Sequence, residues 1–385
     1  MRYNRRVISK KEAILLQKFL HLVKKDPVLT AAWLLALLSA FFVPPDRRYA
    51  DYIDWRSLGI LWSLMVVMQG LRACGVFDRI GARLLSRAER VRTLVAVLIF
   101  LCFFSAMFIT NDVALITFVP FAVLVLQNCG REDLLLMTVV LQTVAANLGS
   151  MLTPVGNPQN LYLYGLSGMS VGVFLRILFP YTLLSGGLLL LFVFGMKAGG
   201  KANAEVEKAL PPMQKGRVAL LFALFLLTLL AVMRVLPVLI PVLAVLAVAL
   251  IWEREAFRRA DYALLLTFIG FFIFTGNIAR IPAVHDTLAT LVGGHELVTG
   301  VLASQCISNV PAALLLAGFT ENYEDLLLGV NFGGLGTLIA SMASLISYKQ
   351  FTAACAGQTK RYIGRFTLVN LLFLGVLLAA RFLLA

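Results

Sequence analysis

The chain has 385 residues, 60% of them hydrophobic and 14% charged, with a formal net charge of +14. Soluble domains average roughly 45–50% apolar and about 25% charged residues, so the composition excludes an ordinary soluble domain. Strand-like alternation is absent, which argues against a β-barrel. The positive charge gathers on one set of loops, as the positive-inside rule requires, and does not form a nucleic-acid footprint.

Residues 1–26 are basic, with apolar Ile14, Leu15, Phe19, Leu20, Leu22 and Val23 near helical spacing. They read as an amphipathic cytoplasmic N-terminus on the inner membrane surface, or as a solvated tail. Spans are predicted at 27–44 and 55–73. The Arg-rich stretch Arg72–Arg92 is placed inside as an interfacial helix, with Ile80, Leu84, Leu85 and Ala88 as its apolar stripe. The apolar run 93–128 is interrupted only at Thr110-Asn111-Asp112 and has basic flanks at both ends. One span takes about 20 residues, which leaves no room for two spans and a turn. The run therefore reads as a re-entrant hairpin of two half-helices. The alternative is two short spans with an external turn.

The span at 133–166 carries Asn147-Leu-Gly-Ser-Met-Leu-Thr-Pro-Val-Gly-Asn-Pro-Gln-Asn160. Pro removes a backbone donor and Gly weakens a helix. A break of this kind survives in a membrane only inside protein or beside a polar cavity. A return span at 172–196, a polar cytoplasmic linker at 197–216 and a connecting span at 217–235 follow. Further spans are expected at 238–252 and 261–280. A second hairpin, 298–319, is interrupted at Ser308-Asn309-Val310-Pro311 and ends in the acidic segment Glu321–Asp325 outside. A weakened helix over 326–347 contains Asn331-Phe-Gly-Gly-Leu-Gly-Thr337, and the last span is 364–384, with the C-terminus outside. The fold expected is an all-α polytopic membrane protein of about nine transmembrane helices plus two hairpins.

Three segments recur in order in the two halves, 27–196 and 238–385. Asp54-Trp-Arg-Ser-Leu matches Asp261-Tyr-Ala-Leu-Leu; Phe108–Ile116 matches Cys306–Leu314; Asn147–Thr153 matches Asn331–Thr337. With one hairpin inside and one outside, this is an inverted repeat, the architecture of alternating-access transporters. Half-helix N-termini favour anions, while unwound carbonyls favour small cations. Thr110, Asn111, Ser308 and Asn309 suit either. Thr153, Asn157, Gln159 and Asn160 lie in the break. Asp112 is a carboxylate at membrane depth, suited to a cation site, to proton cycling or to capping the following helix.

The five Cys have no metal spacing and the three His form no cluster. Neither HExxH nor GxSxG with a membrane-depth base appears, so no enzyme is expected, and no phosphate-binding loop or other cofactor motif is present.

The four interruptions resemble the ion transporter superfamily of divalent anion–sodium symporters, citrate permeases, and arsenite permease and sodium–proton antiporter relatives. The resemblance runs from about residue 27 to near the end of the chain. It implies that Thr110-Asn111 and Ser308-Asn309 bind sodium and substrate, with Gly149 and Gly336 as partners in the broken helices. It also implies a homodimer. Asp112 and Val310 stand where the symporters carry Thr, which leaves the substrate branch unassigned. The expected function is secondary transport of a small anion or oxyanion (carboxylate, arsenite-like or other inorganic anion) across the inner membrane, coupled to Na+ or H+. A cation–proton antiporter using Asp112 is the alternative.

Overall fold

The computed structural model describes residues 26–202 and 213–384. The N-terminal stretch up to residue 25 and the middle of the linker, 203–212, lie outside the described residues. Among the described residues every extended element is helical. α1 (Pro27–Phe42) starts at Asp26, whose carboxylate accepts the Leu29 N–H at 3.0 Å, with Pro27 at the first position, where no N–H is missed. α2 (Trp55–Ala73) bends by 56° into α3 (Val76–Leu85). The stripe expected there divides: Leu85 and Ala88 are buried, while Ile80 and Leu84 face outward.

α4 (Val91–Ile109) and α5 (Asn111–Asn128) are the arms of the first hairpin. α6 (Leu135–Ser150) and α7 (Pro158–Ser167) are the two pieces of the broken span, and α8 (Val171–Gly195) returns. After the linker come α9 (Lys215–Val232), α10 (Leu239–Ile251), the short α11 (Arg254–Arg259), α12 (Tyr262–Ala279) and α13 (Pro282–Val292). α14 (Glu296–Ile307) and α15 (Asn309–Leu316) form the second hairpin. α16 (Tyr323–Phe332), α17 (Met342–Ala354) and α18 (Thr359–Leu384) complete the chain.

By length and composition, seven of these helices can cross a membrane: both arms of the first hairpin, α6 with its leading turn, α8, α9, α12 and α18. The number is eight if the bent α2–α3 pair is one span. This is a multi-pass all-α membrane protein. The arms of the first hairpin run 19 and 18 residues, longer than half-helices, whereas those of the second run 12 and 8. The reason is the turn: Thr110 alone reverses the chain, so almost no residue is spent on a loop. The segment 326–347, expected as a weakened helix, is divided outright between α16 and α17.

The fold divides into two units, one up to Trp55 with Asp261–Thr290, the other Arg56–Ala260 with Leu291–Ala385. In the smaller unit α1 lies along α12. The Asn277 amide donates to Ser39 Oγ at 3.0 Å and to the Tyr49 hydroxyl at 2.8 Å, and Arg280 pairs with Asp46 at 2.9 Å. Both hairpins and both breaks belong to the larger unit, and α6 is its centre. Its span is 83% buried, against 33–56% for the other span-length helices. A polar residue in such a helix must be satisfied within the protein. Thr138 and Thr143 donate back to the carbonyls of Leu134 and Val139. Gln142 donates to Leu98 O at 3.1 Å and Phe118 O at 3.2 Å, one on each hairpin arm.

Candidate functional site

Each hairpin turns on one residue. Thr110 has φ 69° and ψ 151°, and Ser308 has φ 74° and ψ 153°. This region is almost reserved for glycine and costs about 1–3 kcal/mol for a residue with a side chain. Two non-glycine residues held in the same strained conformation mark the tips as a repeated device.

The next helix begins at once, so Asn111 and Asn309 present N–H groups that no helical carbonyl can take. Each goes to the break of its own half: Asn111 N to Gly156 O at 3.3 Å, and Asn309 N to Ala340 O at 3.0 Å. A second matched bond runs the other way. The Thr153 hydroxyl donates to Met107 O, and the Thr337 hydroxyl to Gln305 O at 3.4 Å. Met107 and Gln305 each precede their tip by three residues. The pairs Thr153 and Thr337, Gly156 and Ala340, and Asn147 and Asn331 all have the same spacing in sequence, so the register of the repeat is exact to the residue.

The breaks are also tied to each other. Asn147 Oδ1 accepts from Ser341 Oγ at 3.0 Å and from Asn111 Nδ2 at 3.1 Å, while its amide donates to Gly334 O at 3.3 Å and Ser344 Oγ at 3.5 Å. Asn331 repeats the pattern: its Oδ1 accepts from Asn157 Nδ2 at 3.3 Å, and its amide donates to Asn160 Oδ1 at 2.7 Å. In the repeat register Asn157 corresponds to Ser341 and Asn160 to Ser344. Each central Asn therefore closes the break of the other half. These groups are buried, and a fully satisfied buried network of this kind rigidifies the segments it joins.

Close approach explains the glycines. A Cβ on Gly149 would overlap the Phe103 carbonyl in α4, and one on Gly156 would overlap the Ser150 carbonyl. At Gly336, where φ is 111°, a Cβ would overlap the Gln305 amide. The register sets Gly149 opposite Gly333, so Gly149 and Gly336 are not each other's mates.

Asp112 stands in the first turn of α5, where a carboxylate complements the helix dipole, and its N–H donates to Asn111 Oδ1 at 2.9 Å. Buried Val310 holds the equivalent place in α15. Gln159, in the first turn of α7, is 1% exposed, and neither its Nε2 nor its Oε1 has a hydrogen-bond partner. A buried amide with no partner at either end is uncommon in a protein interior.

Several carbonyls of the breaks, the kind of group that favours small cations, are engaged. Asn160 Nδ2 donates to Met151 O at 2.9 Å, Thr153 O at 3.1 Å and Ser150 O at 3.4 Å. Gln305 Nε2 donates to Gly333 O and Leu335 O, both at 2.9 Å. These oxygens do not fit a sodium ion while the amides remain in place.

The structure places Thr110, Asn111, Thr153, Asn157, Ser308 and Asn309 at the tips and breaks of the larger unit. It adds Asn147, Asn331, Ser341 and Ser344 as the links between halves and Gln305 as a clamp. Arg234 is drawn to the far end of α7, where it donates to Gly168 O at 2.7 Å and Tyr164 O at 2.9 Å.

An all-helical membrane protein whose polar centre is two hairpin tips clasped to two broken helices is a membrane transporter. The model of the citrate transporter family matches residues 13–326, and the chain belongs to that family. It is 31% identical over 320 residues to an uncharacterized transporter of Methanocaldococcus jannaschii, covering 83% of this chain and 85% of that one. It is 29% identical over 338 residues to the inner membrane protein YbiR of Escherichia coli, covering 86% and 89%. A shorter match, 32% over 184 residues, links it to a silicon efflux transporter of Oryza sativa subsp. japonica, with 46% of this chain and 37% of that protein covered. The family is one of transporters, not enzymes, and two of these relatives are named as transporters.

Proposed function

We propose that the protein is a secondary active transporter that carries a small anion or oxyanion across the inner membrane by alternating access, driven by a sodium or proton gradient. The observation that carries this reading is the matched pair of clasps: a backbone and a hydroxyl hydrogen bond recur at equivalent positions of each tip and its own break, beside unmatched bonds from Asn111 Nδ2 in the first half and the Gln305 amide in the second. A well-formed hydrogen bond is worth about 0.5–1.5 kcal/mol net, so a tip leaves its break by breaking a few such bonds, Asn111 to Asn147 among them, while the bonds between the two breaks remain. Placing the N-terminus inside puts the first hairpin on the cytoplasmic side and the second on the outer side, so each tip gates one face. The protein works as a homodimer with its C-terminus outside. YbiR, named an inner membrane protein, supports the location.

Asn, Ser and Thr side chains with the open Gln159 favour a small hydroxylated inorganic oxyanion over a tricarboxylate, which calls for cationic partners. Similarity to a silicon efflux transporter supports that choice, while the name of the family points to citrate. Uptake into proteoliposomes, across a panel of silicate, arsenite, other oxyanions and carboxylates with sodium and pH gradients varied separately, tests the reading. Gradient-dependent flux of one class is expected, and no such flux for any of them overturns it.

The second reading, cation–proton antiport, rests on Asp112 at the first tip, where the second half carries Val310. Asp112→Asn is expected to abolish proton-coupled flux under that reading. Under the first, it changes substrate KM and leaves a measurable flux.

A further inference from the structure

Two amide nitrogens sit where three carbonyl oxygens converge. Asn160 Nδ2 faces Ser150, Met151 and Thr153 in the first break. Gln305 Nε2 faces Gly333 and Leu335 in the second, with Val301 O at 3.3 Å as its third acceptor. Met151 and Leu335 are equivalent in the repeat register. The two amides are not. The counterpart of Asn160 is Ser344, and the counterpart of Gln305 is Met107, which has no donor. One amide comes from the helix that follows the break and the other from the hairpin arm that crosses it. The two halves thus meet the same need with residues from unrelated places, and the need is a positive partner for carbonyls that the break has freed.

Unwound carbonyls that converge in a buried break are the ligands by which transporters hold small cations. They must be met by something, because an unsatisfied buried carbonyl costs about 1–3 kcal/mol. Here the N–H groups of a neutral amide meet them. Both amides are anchored at their other end as well: Asn160 Oδ1 accepts from Asn331, and Gln305 Oε1 accepts the Thr337 N–H at 2.9 Å. The remaining freed oxygens near the tips, those of Gly156 and Ala340, take the tip N–H groups.

We infer that Asn160 and Gln305 stand in for the cations of the two breaks, so that the breaks keep their shape without sodium and transport does not use a sodium gradient. The inference rests on the transporter reading and concerns only the coupling ion. The amides act as positioning residues, holding the carbonyls as an ion would without leaving during the cycle.

The test uses the purified full-length protein. Melting temperature is measured in about 100 mM NaCl and in the same concentration of choline chloride, for the wild type, Gln305→Glu and Gln305→Ala. A ligand that binds only the folded state raises the melting temperature. The wild type is expected to differ by less than about 1 °C between the two salts, and Gln305→Glu, which keeps the acceptor for Thr337 and offers a carboxylate to a cation, to gain about 3 °C or more in sodium. If Gln305→Glu does not fold, Asn160→Asp gives the same readout in the other break. A sodium-dependent rise in the wild type overturns the inference, and so does a wild type and variants that are all equally insensitive. Wild-type flux in proteoliposomes completes the test. Flux that persists with choline in place of sodium on both sides supports the inference. Flux that requires a sodium gradient overturns it and leaves the transporter reading standing. No flux for any substrate strikes the transporter reading itself, and the melting data then decide the amide assignment alone.

Discussion

The two tip-and-break pairs share a backbone and differ in side chains. Thr110 and Ser308 have the same dihedral angles to within a few degrees, and each following Asn donates to the same position of its break. Beyond that, the first half has Asp112, Gly156, Asn157 and Asn160 where the second has Val310, Ala340, Ser341 and Ser344. The repeated part is the one-residue turn and the clasp of tip to break. The unrepeated part is charge, amide reach and a tighter turn, which the first half alone carries at these positions.

The largest effect that separates the halves is expected at the turn of the breaks. Gly156→Ala drives a Cβ into the Ser150 carbonyl and should cost about 3 kcal/mol or more, read as loss of folded protein in detergent. Its mate already carries a Cβ, so Ala340→Gly should cost only about 0.4–1 kcal/mol, by chain entropy. Equal losses would show that the two turns are not built differently.

Next in size are the central amides. Asn147→Ala strands the Asn111 amide, Ser341 Oγ and Gly334 O, and Asn331→Ala strands the Asn157 amide and Asn160 Oδ1. Each should lose about 2–4 kcal/mol. Only Asn147 touches a tip, so only its replacement should speed thiol labelling of a cysteine placed at Thr110. Faster labelling in both variants would mean that the tips answer to the whole network.

A smaller effect, with opposite sign, is expected at the tips. Thr110→Gly and Ser308→Gly relieve about 1–3 kcal/mol of strain and give back about 0.5–1 kcal/mol in chain entropy, so both should melt higher. A gain at one tip alone would show the strain to be unequal. The smallest effect is at the hydroxyl clasps. Thr153→Val should cost about 1 kcal/mol, and Thr337→Val close to nothing, because Thr337 is exposed and its bond is long.

Much of this was legible in the sequence. Hydropathy placed α2 at 55–73, as found, and put α1, α8, α10 and α12 within two residues of their ends. The content of Pro, Gly and Asn located the first break, and the Asn147–Thr153 and Asn331–Thr337 pairing carried the register later seen in the hydrogen bonds. Gln305 was not legible: it stands in an apolar arm outside the Ser308–Pro311 interruption, and its role depends on carbonyls 28 and 30 residues away. Nor was the one-residue turn, since neither Thr nor Ser is expected at positive φ. That omission made the first hairpin look too short for the arms it has. The helix α13 was missed because its mixed face gives a weak apolar signal between the span at 261–280 and the second hairpin.

The crossing of the central amides sets an order of assembly. Asn157 finds its acceptor 174 residues later in the chain, and Asn147 receives Ser341 from 194 residues away. At about 5–20 residues per second of synthesis, the first break waits roughly 9–35 s for its partner. Through that interval the Asn147 amide and Asn160 Oδ1 of the nascent first half wait for partners that only the second half supplies. The polar centre is thus among the last parts of the molecule to form, and a chain released before residue 331 lacks the bonds that join its two breaks.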